Sequence, residues 1–337
     1  MKCFEKLYND IPKVELHCHL EGSIRTGTII DIAREYGLQL PSYEVAALNR
    51  YVKVYDQLKD LQAVLNAFTI AQNCFASSGA VERIAYELFE DAYKQNIKLL
   101  EVRFSPDWAF SSHHLDWDAA LDGILKASEK AEEKFDMAIG LITISSRSMG
   151  NASCEKTVDW AIHRRDVIQG IDLADGEAEH PIDGFIKPVL RAKDAGLKVT
   201  VHSGEDTPAA MVVDTINKVN PDRIGHGIHI IDDTSAIELV RKKGITLEVN
   251  PWSNYLTNSV KRIEDHPLKR LYDLGVKTTI NSDDPEVLET NLNNEYRIAH
   301  EILGMSMVDI AVCNGYALEA SFLPQTLKKA IKDKYFS

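Results

Sequence analysis

Four histidines and three carboxylates occur where apolar runs give out. His17 and His19 lie two apart in Glu15-Leu16-His17-Cys18-His19. On a strand, positions i and i+2 face the same side, so both imidazoles point into one space. His202 closes Val199-Thr200-Val201 and is followed by Gly204-Glu205. His226 ends Ile224-Gly225, and Asp283-Asp284 follow Thr279-Ile280-Asn281-Ser282. Neutral imidazole and carboxylate are good ligands for zinc and related divalent ions. Three imidazoles and one carboxylate leave a position open for water, as a catalytic and not a structural site does. Each residue also has an ordinary reading: Asp283-Asp284-Pro285 could start a helix, and His226 could be a core histidine. Their recurrence at one kind of place favours the metal.

These side chains converge only if the elements that carry them do. Eight short apolar runs stop at polar clusters, over 14–16, 99–104, 137–144, 167–173, 199–201, 224–230, 245–249 and 276–280. From the third run onward, helical patterns fill the gaps at 155–165, 184–195, 207–219, 233–243 and 267–274. Strands alternating with helices predict parallel pairing through crossovers. Eight such units close a (β/α)8 TIM barrel, whose strand C-termini meet at one mouth. The expected class is therefore α/β, a single barrel domain over 1–337. An open doubly wound sheet is the alternative, but no G-x-G-x-x-G follows the first run. The connection from the first to the second run is too long for a structureless loop. Residues 22–97 are expected to form a helical insertion, with a helix at 42–51 and a one-face stripe at Leu58, Leu61, Leu65 and Phe68. That stripe reads first as core packing and second as a lid over the mouth.

The chain has 38 basic and 51 acidic residues in 337, a net charge of 38 − 51 = −13, with 45% hydrophobic residues. The acidity argues against a nucleic-acid partner, whose affinity comes mainly from Lys and Arg. The five cysteines are scattered, without a C-x-x-C pair, and read as reduced intracellular thiols. The first residues run into charge at once and no long apolar run exists, so no signal peptide, no membrane span and a cytoplasmic location are expected. A helical H-E-x-x-H is absent. His19-Leu20-Glu21 lacks the P-C-x-x-C that completes the cytidine-deaminase signature. His113, His114, His163, His180, His266 and His300 read as solvated or structural. The expected partner is a small molecule; no oligomeric state is read.

Several blocks together resemble the adenosine deaminases of the amidohydrolase superfamily. They are Pro12-Lys13-Val14-Glu15-Leu16-His17-Cys18-His19-Leu20-Glu21-Gly22, Glu101-Val102-Arg103-Phe104-Ser105-Pro106, Ile171-Asp172-Leu173-Ala174, Val201-His202-Ser203-Gly204-Glu205, Arg223-Ile224-Gly225-His226-Gly227 and Asn281-Ser282-Asp283-Asp284-Pro285. Arg83-Ile84-Ala85-Tyr86-Glu87 is also family-like, and the resemblance runs in order from about 11 to 325.

The resemblance implies hydrolytic deamination of a 6-aminopurine, foremost adenosine and 2′-deoxyadenosine to inosine plus ammonia, in purine salvage. It implies one Zn2+ held by His17, His19, His202 and Asp283, lowering the pKa of bound water from 15.7 towards about 7. His226 would orient that water and help to deprotonate it, Glu205 would protonate purine N1, and Asp284 would bind N7. A single metal follows because strand four ends without a bridging lysine. Two positions depart from the family pattern. Asp175-Gly176 stand where a glycine usually follows Asp-Leu-Ala, so either could offer the backbone N–H for purine N3. Glu21 replaces the aspartate that commonly meets the ribose 5′-hydroxyl, as it does in many adenine and aminodeoxyfutalosine deaminases. Those two activities are the alternatives; the adenosine-like loop Pro251-Trp252-Ser253-Asn254-Tyr255-Leu256-Thr257 argues against plain adenine. A non-catalytic nucleoside-binding protein would be expected to have lost Glu205 or a ligand, and none is lost.

Overall fold

The computed structural model describes residues 3–336. Eight parallel strands follow one another in order around a barrel: β1 (Lys13–His19), β2 (Ile97–Phe104), β3 (Ala138–Ser146), β4 (Gly170–Ala174), β5 (Lys198–Ser203), β6 (Arg223–His226), β7 (Thr246–Val249) and β8 (Lys277–Ile280). Each expected apolar run contains or overlaps one strand. The helices expected between them are present, as Gly150–His163, Ile186–Asp194, Ala209–Val219, Thr234–Lys243 and Leu268–Asp273. Their apolar faces and the outer faces of the strands form one continuous core. None of the described helices is long and apolar enough to cross a membrane. Cys18, Cys74, Cys154 and Cys313 are buried free thiols.

The seam between β8 and β1 closes at the mouth. The His19 N–H donates to the Asp283 carbonyl at 2.8 Å, and the Asp283 N–H donates to the His17 carbonyl at 2.9 Å. Backbone closure of the barrel thus brings three of the expected ligands together. Just before it, β1 carries a bulge: Glu15 pairs with Leu100 and Cys18 with Val102, three steps against two. Bulges bend a strand and re-aim its side chains.

The long β1–β2 connection is helical, as expected. It holds Thr26–Tyr36, Val45–Val52, Leu61–Leu65, Phe68–Gln72 and Ser78–Lys94. The last of these packs on β2 and on Trp117–Phe135, so it serves as the barrel's own crossover helix. The stripe does not lie on one helix. Asp60 caps Leu61–Leu65 by accepting from the Ala63 N–H at 3.0 Å, and Leu58 precedes it. Phe68 begins a second five-residue helix. Both readings of the stripe apply, because Leu58, Leu65 and Phe68 pack into a small cluster while Leu61, Leu65 and Phe68 also line the mouth.

Candidate active site

The mouth holds a cavity of about 380 Å3 between the strand ends and the inserted helices. At its floor, His17 Nε2, His19 Nε2 and Asp283 Oδ1 are mutually 3.2 Å apart. The His202 ring centroid is 4.6 Å from that of His17 and 5.4 Å from that of His19. His226 lies opposite, its Nε2 3.8 Å from Asp283 Oδ2 and 3.6 Å from Glu205 Oε2. One ligand atom from each of His17, His202, His226 and Asp283 falls within 4.8 Å of the others, while His17, His19 and Asp283 meet at 3.2 Å. Proximity alone therefore does not say which three imidazoles would bind a metal, and the partners of the outer nitrogens bear on the choice.

His17 Nδ1 donates to Glu248 Oε2 at 2.8 Å, and His202 Nδ1 donates to Asp172 at 3.0 Å. A carboxylate behind Nδ1 fixes the proton there and leaves the Nε2 lone pair inward, as metal-bound histidines require. Behind His226 Nδ1 stand two carboxamides, Asn250 Nδ2 at 3.1 Å and Asn254 Nδ2 at 2.9 Å. These are donors, so the His226 proton sits on the inner nitrogen. His226 belongs to the cluster.

The donor set suits a cation. Inward lone pairs and a carboxylate oxygen at 3.2 Å repel unless positive charge lies between them. Burial and Arg103 push His17 down, yet Asp283 and Glu248 outweigh them and raise it, so a proton is drawn to the same place. Burial pushes His19 down to about 4. Burial also opposes the Asp283 charge, but His17 and the neighbouring imidazoles hold the carboxyl well below its ordinary range.

The other carboxyls of the mouth behave oppositely. Burial, then Asp283 and Asp206, raise Glu205 well above the usual range; burial, then Asp283 and Glu21, do the same to Asp284. Both are pushed toward the neutral form, in which a carboxyl can donate. Burial pushes Glu21 up to about 7; its Oε1 accepts from the Ser105 N–H at 2.6 Å, while Glu21 Oε2 and Asp284 Oδ1 are buried without partners. Asp175 lines the cavity and Gly176 does not. Asp175 adopts φ 81°, the left-handed conformation for which glycine is favoured. Its carboxylate accepts from the Gly176 N–H at 2.7 Å and from the Ser148 hydroxyl, the local bonding by which aspartate tolerates that region. The Gly176 N–H is thus engaged.

Beneath the site lies a layer of charged residues that no local motif marks. Arg103 is fully buried, 2.6 Å from Asp172 and 2.8 Å from Glu248. Arg223 reaches Glu101 at 2.7 Å and Glu248 at 2.5 Å. Burial opposes the Glu248 charge, but Arg103 and Arg223 hold it well below its ordinary range. The signal was alternation: Glu101 and Arg103, Thr200 and His202, and Asp172 recur at strand positions that face the barrel axis. His266, expected to be solvated or structural, is buried, with 3% exposure, behind Asn254.

The sequence profile of the adenosine deaminase family matches residues 12–336. The chain belongs to the adenosine deaminase family. An adenosine deaminase of Clostridium botulinum is 36% identical over 326 residues, covering 96% of this chain and 97% of that one. Among solved structures, the adenine deaminase of Arthrobacter aurescens superposes with a TM-score of 0.90 at 25% identity, covering 97% of this chain and 98% of that one. The N6-mAMP deaminase of Arabidopsis superposes with a TM-score of 0.87 at 26% identity, covering 98% and 99%. The family thus spans a nucleoside, a free base and a nucleotide on one barrel, and the chain is a hydrolase of this type. The wall of the mouth bears on which substrate it takes.

Proposed function

We propose that this chain deaminates adenosine and 2′-deoxyadenosine with one Zn2+. The observation that carries the choice of substrate is that, among the described residues, no cationic Lys or Arg side chain lines the wall. The cavity is lined by Glu21, Asp175, Glu205, Asp283 and Asp284, and by no lysine or arginine among the described residues. A phosphate, or the carboxylate of aminodeoxyfutalosine, would be buried at the sugar end with no Lys or Arg to pair with it, at a cost of several kcal/mol. The cavity extends past the base position to polar groups of the inserted helices (Gln62, Asn66, Thr69 and Gln72), which suits a neutral sugar. A second reading, adenine as substrate, has Glu21 and the adenine deaminase likeness in its favour.

His17, His19, His202 and Asp283 would hold the zinc, a set of three nitrogens and one oxygen with room for water. When bound, the ion lowers the pKa of water so that a nucleophile is available at neutral pH. Glu205, neutral by burial, donates its proton to purine N1, so the charge arriving at C6 does not accumulate on the ring. Asp284, also neutral, donates to N7 and sets the ring in register. The Asp175 N–H meets N3, and Glu21 faces the sugar end. The inserted helices, with Phe68 edge-on to Trp108 at 6.2 Å, exclude bulk water. One water adds at C6 and one ammonia leaves.

The test compares kcat/KM for adenosine, 2′-deoxyadenosine, AMP, adenine and 6-aminodeoxyfutalosine. Adenosine is expected to exceed AMP by at least about 10³, the equivalent of about 4 kcal/mol for an unpaired buried charge. AMP, adenine or aminodeoxyfutalosine as the best substrate would overturn the reading.

A further inference from the structure

His266 follows the short turn Ile263–Asp265 and precedes the helix Leu268–Asp273 that packs on β8. Its Nδ1 accepts from the Leu268 N–H at 3.2 Å. Burial pushes its pKa down to about 3, so it is neutral. A neutral imidazole that accepts at Nδ1 carries its proton on Nε2. That Nε2–H faces Asn254 Oδ1 at 3.2 Å and donates to it. The contact decides which end of the Asn254 carboxamide is oxygen, and hence that Nδ2 turns to His226 Nδ1 at 2.9 Å. Asn250 is oriented in the same sense, since its Nδ2 donates to the Glu248 carbonyl at 3.2 Å as well as to His226. Asn250, Asn254 and His226 are all buried, leaving solvent no means of reversing the polarity.

The chain of donors therefore runs one way, from the Leu268 amide through His266, Asn254 and His226 to the cavity. We propose that His266 is a positioning residue which, acting through Asn254, holds His226 as the Nε2–H tautomer. Two consequences follow, given the deaminase reading above. His226 donates a hydrogen bond into the cavity and is not the acceptor of the water's proton, which replaces the role expected from sequence. Its inner nitrogen also has no lone pair to offer a metal, although His226 falls in one cluster with His17, His202 and Asp283. Rotating the Asn254 amide by half a turn would set its Oδ1 against His226 Nδ1 and leave Asn250 alone to hold the tautomer.

The test reads the His226 ring nitrogens by 15N NMR in the zinc-loaded protein, alongside steady-state kinetics. The wild type is expected to show a protonated Nε2 and an unprotonated Nδ1. His266→Phe removes the donor to Asn254. It is expected to move a fraction of the His226 proton to Nδ1 and to lower kcat about 10- to 100-fold, with KM for adenosine within about twofold and zinc content unchanged. His266→Gln keeps an N–H at the Nε2 position and is expected to recover the wild-type tautomer and most of kcat. A wild-type His226 protonated on Nδ1 overturns the proposal. So does a folded His266→Phe protein with the tautomer and kcat both unchanged. If His266→Phe does not fold, the wild-type and Gln spectra still decide. The spectrum needs no turnover, so a protein inactive on every 6-aminopurine would refute the deaminase reading while leaving the tautomer result to stand or fall separately.

Discussion

Replacing Gly22 by alanine tests whether the position of Asp284, and not merely its presence, sets the rate. Gly22 lies in the turn Glu21–Ser23 after β1, and its φ is outside the left-handed region, so alanine suits the backbone. Space is the obstacle. An added Cβ would stand 2.0 Å from Asp284 Oδ1, 2.5 Å from its Cβ and 2.6 Å from its Cγ. Because Asp284 Cβ itself clashes, a χ1 rotation does not relieve the contact. The two segments are also tied together, the Gly22 carbonyl accepting from the Glu286 N–H at 2.9 Å and the Val287 N–H at 3.2 Å. Moving apart to an ordinary carbon contact of about 3.5 Å requires about 1 Å at Asp284. A displacement of that size costs about 10²-fold in rate, or about 3 kcal/mol of transition-state binding. Gly→Ala at a compatible φ otherwise stabilises by about 0.4–1 kcal/mol, whereas overpacking costs about 1–3 kcal/mol, so Tm should fall. The assay is kcat/KM for adenosine by ammonia release, with zinc content and thermal melting in parallel. Gly27→Ala is the control, since a Cβ there meets nothing within 4 Å. A Gly22→Ala enzyme with kcat/KM within threefold of wild type and an equal or higher Tm would refute the reasoning.

Other outcomes follow from the same geometry. Glu205→Gln should retain zinc yet lose about 10²–10⁴ in kcat, and a near-wild-type rate would remove Glu205 from the chemistry. Burial raises Glu205 and its acid form is the active one, so activity should be full below its raised pKa and fall as pH rises through it. This alkaline limb should be missing from the residual activity of Glu205→Gln. His266, held at about 3 against an ordinary 6.5, binds a proton more readily unfolded than folded. Stability should therefore rise with pH between these values and be lost on acidification. Urea unfolding of the wild type should show up to about 1.4 kcal/mol more loss per pH unit in that window than His266→Gln, and parallel curves would contradict the assignment.

The barrel was legible because each strand is a short apolar run ended by polar residues, and because a parallel return needs a helix of predictable length. Its mouth was legible for the same reason: His17, His19, His202, His226 and Asp283 mark strand ends. What escaped depends on pairing across the barrel. Arg103, Asp172 and Glu248 come from three strands, and no local spacing says that they meet. His266 lies outside every motif, and its role arises from a contact with Asn254 in the short helix Pro251–Leu256. The bulge between Glu15 and Cys18 was hidden as well, because register is a property of two strands. The helix break at Asn66-Ala67 divided a stripe whose spacing suited one helix, since packing over the mouth outweighed the local pattern.

Deamination is proposed to depend on one metal held at His17, His19, His202 and Asp283. The direct measurement is a titration of metal-free protein with Zn2+ while ammonia release from adenosine is followed. Activity should be absent at the start, rise linearly and saturate at one equivalent per chain, with His19→Ala abolishing the rise. Full turnover in metal-free protein with zinc rebinding prevented would rule out the single-metal site, as would saturation at two equivalents.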